Sequence, residues 1–492
     1  MVSEKKYVIS IDQGSTSTRS IVYDMDLNLI SSSQIKLEEI YPKNGWVEID
    51  PNKIIESVEG TIKNAVKKAD IRTEDILSIG ITNQRETIVL WDKQNLEPFG
   101  NAISWQCLRG IEICEDLKGS EFEKLFKNST GLKIDPYFSF SKIMWAIENN
   151  KKISDALKNN NLRIGTIDSW LLANLTNNDE NKIEITNASR TGLYNTKKEE
   201  WDENLLSLLN LDKSILPSVY QSDSNFGKTK KELLGKEIEI NAILGDQQSS
   251  LYAHKDNKDY EVKCTFGTGG FLLIDTGGKR FSHNNNFLST IAHKKNNKIM
   301  HALEGSILSA GSTLEWLKKV NLIDSFDEIE KQLNKTKITD VQIIPALNGL
   351  GAPFWDGKIR ASIENLNSGT TKEEIIRSAF ESIAFSTKAI IEKIEELIEI
   401  PIKELKIDGG ISRSSFFCQF LSDLLKIKIR VSSNSEMTSI GVAKLALEKS
   451  KINFKVEMDY INFEPCSSNS KMYNEKYKKW KNLIDKKIKS KE

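Results

Sequence analysis

The residues with most chemical promise are an adjacent pair, Arg85-Glu86, and a separate Asp246 in Gly245-Asp246-Gln247-Gln248. A guanidinium can donate to a hydroxyl oxygen while a carboxylate accepts from its proton, so Arg85-Glu86 suits a small polyol better than a phosphate. An aspartate at a cleft mouth can take the proton of an attacking hydroxyl. That is enough for phosphoryl transfer, where positioning and electrostatics dominate. Trp105 and Tyr137 are candidates to wall a small pocket, each apolar with a polar tip. A third cluster is Asp12-Gln13-Gly14-Ser15-Thr16-Ser17-Thr18-Arg19. Short hydroxyl residues and a glycine let a turn wrap an anion, with backbone N–H groups aimed at phosphate oxygens. Asp12 could hold Mg²⁺ through water, and Arg19 adds a permanent positive charge. Taken singly, each has a plain alternative: a surface ion pair, a Gly-Asp turn, core aromatics, a bare hairpin.

The elements that must position these groups read as alternating strands and helices, an α/β chain. Residues 7–12 and 20–24 read as strands around the 13–19 turn, a hairpin. The pattern returns at 262–266 and 271–275 around Gly267-Thr268-Gly269-Gly270. Two such hairpins form a weak internal duplication that could grip a polyphosphate from both sides. A helix over 52–69 is announced by Asp50 as N-cap and Pro51 at the first helical position. Strands are expected at 77–81, 86–91 and 242–244. A long helix starts near Lys372 behind a Thr371/Glu374 capping box. Residues 404–408 read as a strand, Gly409-Gly410 as a turn a base or ribose could approach, and 414–425 and 438–449 as helices. The lysine-rich stretch 474–492 reads as a helical tail with a solvated face.

Composition narrows the class. The chain has 492 residues, with Lys+Arg 69 against Asp+Glu 69 and a formal charge of zero. No basic field is available to hold a nucleic-acid backbone, so no nucleic-acid partner is expected. Hydrophobic content of 39% and charged content of 28% argue against a wholly disordered chain. At about 150 residues per domain the length suggests three domains; the repeated hairpin favours two, 1–250 and 251–492. No P-loop signature and no Gly-x-Gly-x-x-Gly opening a helix after a strand occur. Five scattered cysteines contain no Cys-x-x-Cys pair, so neither a zinc site nor a disulfide framework is expected. The four histidines (His254, His283, His293, His301) read as solvated or hydrogen-bonded residues. No apolar run of about 18 residues and no secretory segment is found, which makes a reduced cytoplasm the expected location.

Further blocks are Gly80-Ile-Thr-Asn-Gln-Arg85-Glu86-Thr87, Asn101-Ala-Ile-Ser-Trp105-Gln-Cys107, Asp135-Pro-Tyr137-Phe-Ser139 and Thr186-Asn-Ala-Ser-Arg190-Thr191. Thr265-Phe-Gly267-Thr268-Gly269, Ala302-Leu-Glu-Gly305, Gly349-Leu-Gly-Ala-Pro353 and Asp408-Gly409-Gly410 continue the series. With the 12–19 and 245–248 clusters they run from about residue 7 to 445, and together they resemble the FGGY carbohydrate kinase family, in its glycerol-phosphorylating members. The resemblance implies a two-domain ribonuclease H-like, actin-type ATPase fold with an interdomain cleft. It implies ATP and Mg²⁺, conversion of glycerol to sn-glycerol 3-phosphate, and a homodimer or homotetramer. By that resemblance Arg85, Glu86, Tyr137, Asp246 and Gln247 would hydrogen-bond glycerol, and Trp105 and Phe271 would pack on its carbon face. Asp246 would be the general base. Ser15, Thr16, Ser17 and Arg19 would meet the β- and γ-phosphates, with Thr268 and Gly311 on the other side. Glu315, Gly410 and Ser414 would lie near the nucleotide, and Asp12 with Asp246 would hold Mg²⁺ through water. Ser15 stands where Thr is usual, Glu315 where Gln is common, and Ser414 where Asn is common. Residues 227–240 lack the Gly-Gly-x-Arg loop that binds fructose 1,6-bisphosphate in some members and the His phosphorylated in others, so neither regulation is expected. Kinases for another small polyol or sugar, and a non-catalytic actin-like nucleotide-binding protein, are the rival readings.

Overall fold

In the computed structural model, described over residues 6–177, 180–256, 260–281, 286–336, 338–452 and 458–490, the apolar runs pair into two large mixed sheets. Strand β1 (Tyr7–Gln13) turns back into β2 (Ser17–Asp24), and β3 (Leu29–Lys36) continues the meander. Helix α1 (Pro51–Ala69) then crosses to β4 (Ile76–Asn83), which pairs with β1 in parallel. Asp50 caps α1 as expected, accepting from the Asn52 N–H at 2.9 Å. Ile54, Val58, Ile62 and Val66 face the sheet, the i, i+4, i+8 stripe of an amphipathic helix. Strands β5 (Gly227–Lys228) and β6 (Glu239–Gly245) complete the order β5-β6-β4-β1-β2-β3.

The second sheet repeats this beginning. After α2 (Asp246–Ala253), β7 (Val262–Phe266) and β8 (Gly270–Gly277) form the second hairpin. Strands β9 (Leu288–Lys295) and β10 (Lys298–Ile307) extend it on one side. Helices α3 (Gly311–Lys319) and α4 (Lys372–Ile398) follow, α4 with both halves of the expected capping box. Strand β11 (Glu404–Gly409) then pairs with β7 in parallel, as β4 does with β1. Helix α5 (Ser415–Leu425), β12 (Lys428–Ser432), α6 (Met437–Lys449), β13 (Tyr460–Phe463) and α7 (Ser467–Lys489) finish the chain. The sheet order is β9-β10-β8-β7-β11-β12-β13. The duplication read from two hairpins is thus an architectural one, in which each hairpin is flanked by a parallel strand ending in the cleft.

Two features differ from the sequence expectation. Helix α6 does not stay with the second sheet: Ile440, Val442 and Ala443 pack with Val8, Ile21, Ala242 and Leu244 of the first. Helix α6, which follows the expected boundary at residue 250, therefore packs on the sheet that precedes it. The solvated reading of the tail is also corrected. Tyr473, Tyr477, Trp480 and Ile484 are buried in the second core, Trp480 donating to the Ile343 carbonyl at 2.9 Å. Lys476 is buried against Glu381. The i, i+4, i+7, i+11 aromatic stripe was masked by the lysines between its members. Of the expected tail, residues 491–492 lie outside the described residues.

The α6 contact leaves no room for a side chain. A Cβ on Gly441 would stand 1.8 Å from the Ser249 carbonyl oxygen of α2, and one on Gly80 would stand 2.9 Å from the Val442 carbonyl. Gly441→Ala is therefore expected to destabilise the protein by about 1–3 kcal/mol or more, as overpacking does. Thermal unfolding reads this directly; an unchanged midpoint would mean that α2 and α6 can separate without cost.

Candidate active site

The C-terminal ends of β4 and β6 bring the separated charges together. Arg85 and Glu86 follow β4, and Asp246 opens α2 immediately after β6. Register sets Gly245 beside Asn83. The Arg85 side chain then crosses the face of Gly245, where a Cβ would meet its carbons at 2.9 Å. Glu86 takes the left-handed conformation at φ 62°, uncommon for a residue other than glycine. Ser139 donates to its carbonyl at 3.1 Å and helps to hold it there.

The expected Arg85-Glu86 pair is not the main ion pair, because their nearest charged atoms are 3.9 Å apart. Each is matched to a more distant residue. Arg85 Nη1 lies 2.7 Å from Glu304 Oε2 and donates to Gln248 Oε1 at 3.2 Å. Arg190 bridges the two carboxylates, with Nε 2.5 Å from Glu86 Oε1 and Nη2 3.1 Å from Glu304 Oε1. Nη1 of Arg190 has no hydrogen-bond partner among the described residues. All four charged groups are buried. Burial alone would raise Glu304, but Arg190 and Arg85 hold it down at about 2. Burial raises Glu86, while Arg190 and Arg85 pull against it. Neither Glu304 nor Arg190 was given a role in the sequence reading. A lone charge in each otherwise small or apolar stretch, Ala302-Leu-Glu-Gly305 and Thr186-Asn-Ala-Ser-Arg190, was the available signal.

With both terminal nitrogens of Arg85 engaged, its Nε faces Asp246 Oδ1 at 3.2 Å. The Asp246 carboxylate also accepts from the Gln247 N–H at 2.6 Å, and it is about one-third exposed, unlike the network behind it. Tyr137 places its hydroxyl 3.5 Å from Arg85 Nη2 and its ring edge-on to Trp105, centroids 5.5 Å apart. The loop carrying Tyr137 is pinned by Lys142, whose buried ammonium donates to the carbonyls of Pro136, Tyr137 and Phe138 at 2.8, 2.6 and 3.1 Å. Gln247 accepts from Lys263 at 2.7 Å, and half-buried Phe271 lies beside Leu251 and Leu273.

The first hairpin reaches the same place. Trp105 donates through its indole N–H to Ser15 Oγ at 2.9 Å, so the aromatic wall and the hydroxyl turn touch. Gln84 ties the turn to β4 by donating to Gly14 O and Gln13 Oε1, both at 3.1 Å. Thr16 is exposed and Ser17 half-buried, receiving a hydrogen bond from Gln34 at 2.9 Å. Arg19 does not present the free positive charge expected, since Glu436 and Gln34 hold its guanidinium. Burial, together with the charges of Asp246 and Glu436, raises Asp12 to about 7, and Arg19 only partly offsets this.

On the opposite wall, Thr268 O accepts from Ala310 N–H at 3.1 Å and Ser312 N–H at 3.0 Å, which sets the start of α3 over the second turn. Gly311 is required there, because a Cβ would sit 2.4 Å from the Gly267 carbonyl. Glu315 is exposed on α3, and Gly410 is exposed with open space around it. Ser414 is the N-cap of α5 and donates to Glu330 at 2.6 Å. Of the histidines, His254 is hydrogen-bonded to Asp408 and Tyr460 as expected, at 3.1 and 2.9 Å. His301 is hydrogen-bonded to the Thr290 backbone, with Nδ1 unpaired among the described residues, and His283 lies outside them.

Two sheets built on one strand pattern, with a charged constellation at their junction, define an α/β kinase of the ribonuclease H-like, actin-type ATPase class. Residues 7–253 match the N-terminal domain, and residues 262–448 the C-terminal domain, of the FGGY family of carbohydrate kinases. The chain belongs to that family. It is 40% identical over 492 residues to a glycerol kinase of Halothermothrix orenii, covering 98% of each chain. It is 39% identical over 494 residues to glycerol kinase 2 of Thermotoga maritima, covering 98% of this chain and 99% of the relative. Its structure superimposes on Plasmodium falciparum glycerol kinase with ADP at a TM-score of 0.91 and 34% identity, 98% of each chain covered. A xylulose kinase from Lactobacillus acidophilus shares the fold at a TM-score of 0.86 and 21% identity, with 98% of each chain covered.

Glu304→Gln keeps volume but leaves two buried guanidiniums short of a carboxylate, which is expected to destabilise the fold by about 3–5 kcal/mol. The pH dependence has a definite sign. The folded-state pKa of about 2 lies below the ordinary 4.5. The contribution of Glu304 is therefore complete above its unfolded value and fades as pH falls from 4.5 towards 2. Denaturant unfolding of both proteins should show the largest gap at neutral pH and a narrowing gap in acid. Equal stability at neutral pH would refute the network's role.

Proposed function

We propose that this kinase transfers the γ-phosphoryl group of ATP to glycerol, giving ADP and sn-glycerol 3-phosphate. The observation that carries the reading is the Arg85–Asp246 contact, an oriented donor beside a partly exposed carboxylate, walled by Trp105 and Tyr137. Relatives named glycerol kinase, about 40% identical along nearly the whole chain, support the choice of substrate.

In this reading Arg85, Glu86 and Tyr137 orient the hydroxyls of glycerol, Gln247 assists, and Trp105 and Phe271 cover its carbon face. The attacking hydroxyl oxygen forms its bond to the γ-phosphorus as the bond to the β,γ-bridging oxygen breaks. Asp246 Oδ accepts the hydroxyl proton, and ADP leaves with the electron pair. The amides and hydroxyls of Ser15, Thr16 and Ser17 on one side, and Thr268 and Gly311 on the other, meet the phosphate oxygens. Arg19, neutralised by Glu436, contributes by shaping that turn. Gly410 leaves a flat approach for the adenosine, with Glu315 and Ser414 at its margin.

Asp12 fits a divalent cation: burial, with Asp246 and Glu436 as anionic neighbours, raises its pKa to about 7, and a nearby cation would restore the carboxylate. Asp12 and Asp246 would hold Mg²⁺ through water, and the ion would neutralise charge on the phosphates. Among the described residues no helix is long and apolar enough to cross a membrane. We place the enzyme in the cytoplasm, as a homodimer or homotetramer.

A coupled assay of ADP release with and without glycerol tests the reading. Asp246→Asn is expected to lose about 10²–10⁴-fold in turnover while still binding ATP; wild-type-like turnover would remove Asp246 as the base. Release should stop on chelation and return with added Mg²⁺. Preference for a pentulose over glycerol, or no polyol-dependent release, would overturn the substrate.

A further inference from the structure

Helix α2 shows Asp246 to the cleft at its first residue, and its far end, about 12 Å along the axis, runs into a second cavity. That cavity has a volume of about 220 Å³ and is lined by Tyr252, Lys255, His293, Lys295, Lys444 and Glu448. None of these residues has a place in the phosphoryl-transfer chemistry. Three ammonium groups converge there against one carboxylate, and they come from three elements: Lys255 just after α2, Lys295 from β9, and Lys444 from α6.

The three lysines are unequally matched. Lys255 pairs with Asp275 at 3.3 Å. Lys295 contacts Glu448 and lies 3.2 Å from the Tyr252 hydroxyl. Lys444 forms no ion pair among the described residues. Its ammonium donates to the Lys255 carbonyl at 3.2 Å and stands 5.6 Å from the Tyr252 ring centre. His293 is only 6% exposed and edge-on to Tyr252 at 5.0 Å. Burial, reinforced by the charges of Lys255, Lys295 and Lys444, holds His293 down at about 3, so it is a neutral donor of one N–H. Burial likewise pushes Lys444 below the ordinary lysine value. A partly buried ammonium with no ion pair of its own among the described residues, converging with two others on one cavity that holds a single carboxylate, is what an anion would repair.

We propose that this cavity is a second ligand site that binds a phosphoryl group, as inorganic phosphate or as the phosphate of a small ester, on Lys444, Lys255, Lys295 and His293. Lysines bind phosphate as point charges, and three of them can surround a compact dianion. A water needs about 10–15 Å³ of such space, so a phosphoryl group fits with room for a small organic remainder. Glu448 occupies part of the cationic field as an internal competitor. The bound anion ties β9 of the second sheet to α6 on the first, at the far end of the helix that carries Asp246.

The test titrates the full-length protein with inorganic phosphate and, separately, with phosphoglycolate, against chloride at matched ionic strength, reading thermal unfolding and calorimetric binding. Saturable stabilisation by either phosphate probe, absent with chloride, is expected. Tighter binding of phosphoglycolate marks an ester site, and equal binding a site for phosphate itself. Lys444→Met should weaken binding by about tenfold or more, and Glu448→Gln should tighten it. Saturating ADP, which fills the phosphate turns of the cleft, should leave it intact, which separates this site from phosphate in the cleft. Should Lys444→Met not fold, Lys255→Gln reads the same loss. No saturable binding, or binding that survives loss of the lysine, would overturn the proposal and leave Lys444 as a partner of the Lys255 carbonyl and the other two lysines as partners of Asp275 and Glu448.

Discussion

The site depends on one buried network, Arg85–Glu304–Arg190–Glu86. Four charges out of water are tolerable only when opposite signs are matched at hydrogen-bond distance, and here two guanidiniums face two carboxylates. Glu304 comes from β10 of the second sheet, whereas Arg85 follows β4 of the first. The ion pairs therefore span the two halves of the chain as well as serving the site. Because Glu304, Gln248 and Tyr137 occupy the terminal nitrogens of Arg85, its Nε is the edge left towards Asp246. Orientation of the Asp246 carboxylate thus depends on Glu304 and Gln248, which hold Arg85 from behind and are given no contact with substrate.

Tight backbone approaches reinforce that orientation. Gly245 lets Arg85 pass, Gly441 lets α6 lie on α2, and Gly311 lets α3 begin over the Gly267 turn. Each is a contact that a single methyl group would obstruct, so α2 is held from its side as well as from its first residue. The phosphate-side turns are different. Thr16, Gly410 and Glu315 are exposed, and the first turn is joined to the aromatic wall by one hydrogen bond, Trp105 to Ser15. On the proposed reading, in which the buried side takes the polyol and the more open side the nucleotide, this contrast suits an enzyme whose larger substrate must enter and leave at every turnover.

Much of the fold was legible locally. Asp50 and Pro51 announced α1, Thr371 and Glu374 announced α4, and the paired hairpins announced two related sheets, since caps and turns depend on neighbours in sequence. The aromatic face of α7 was there to be read at helical spacing, but intervening lysines outweighed it. The return of α6 to the first sheet had no local signature, because an apolar helix does not say which sheet it will cover. Arg85, Glu86, Asp246, Trp105 and Tyr137 were singled out by type and position, and they converge. Glu304 and Arg190 lay within quoted blocks without a role, since a buried counter-charge can be recognised only once its partner's place is known.

The amino-acid order alone therefore determined the element types, the hairpin repeat, the charge balance and the identity of the reactive candidates. These follow from periodicity, capping and side-chain chemistry, all short-range. Tertiary structure alone decided which charge neutralises which. It gave Arg85 to Glu304 rather than to its neighbour Glu86, and gave Arg19 to Glu436 rather than leaving it free. Successive residues direct their side chains differently, whereas residues far apart in sequence can be brought within 3 Å by sheet register, and at that distance in a buried site electrostatics outweighs proximity in the chain.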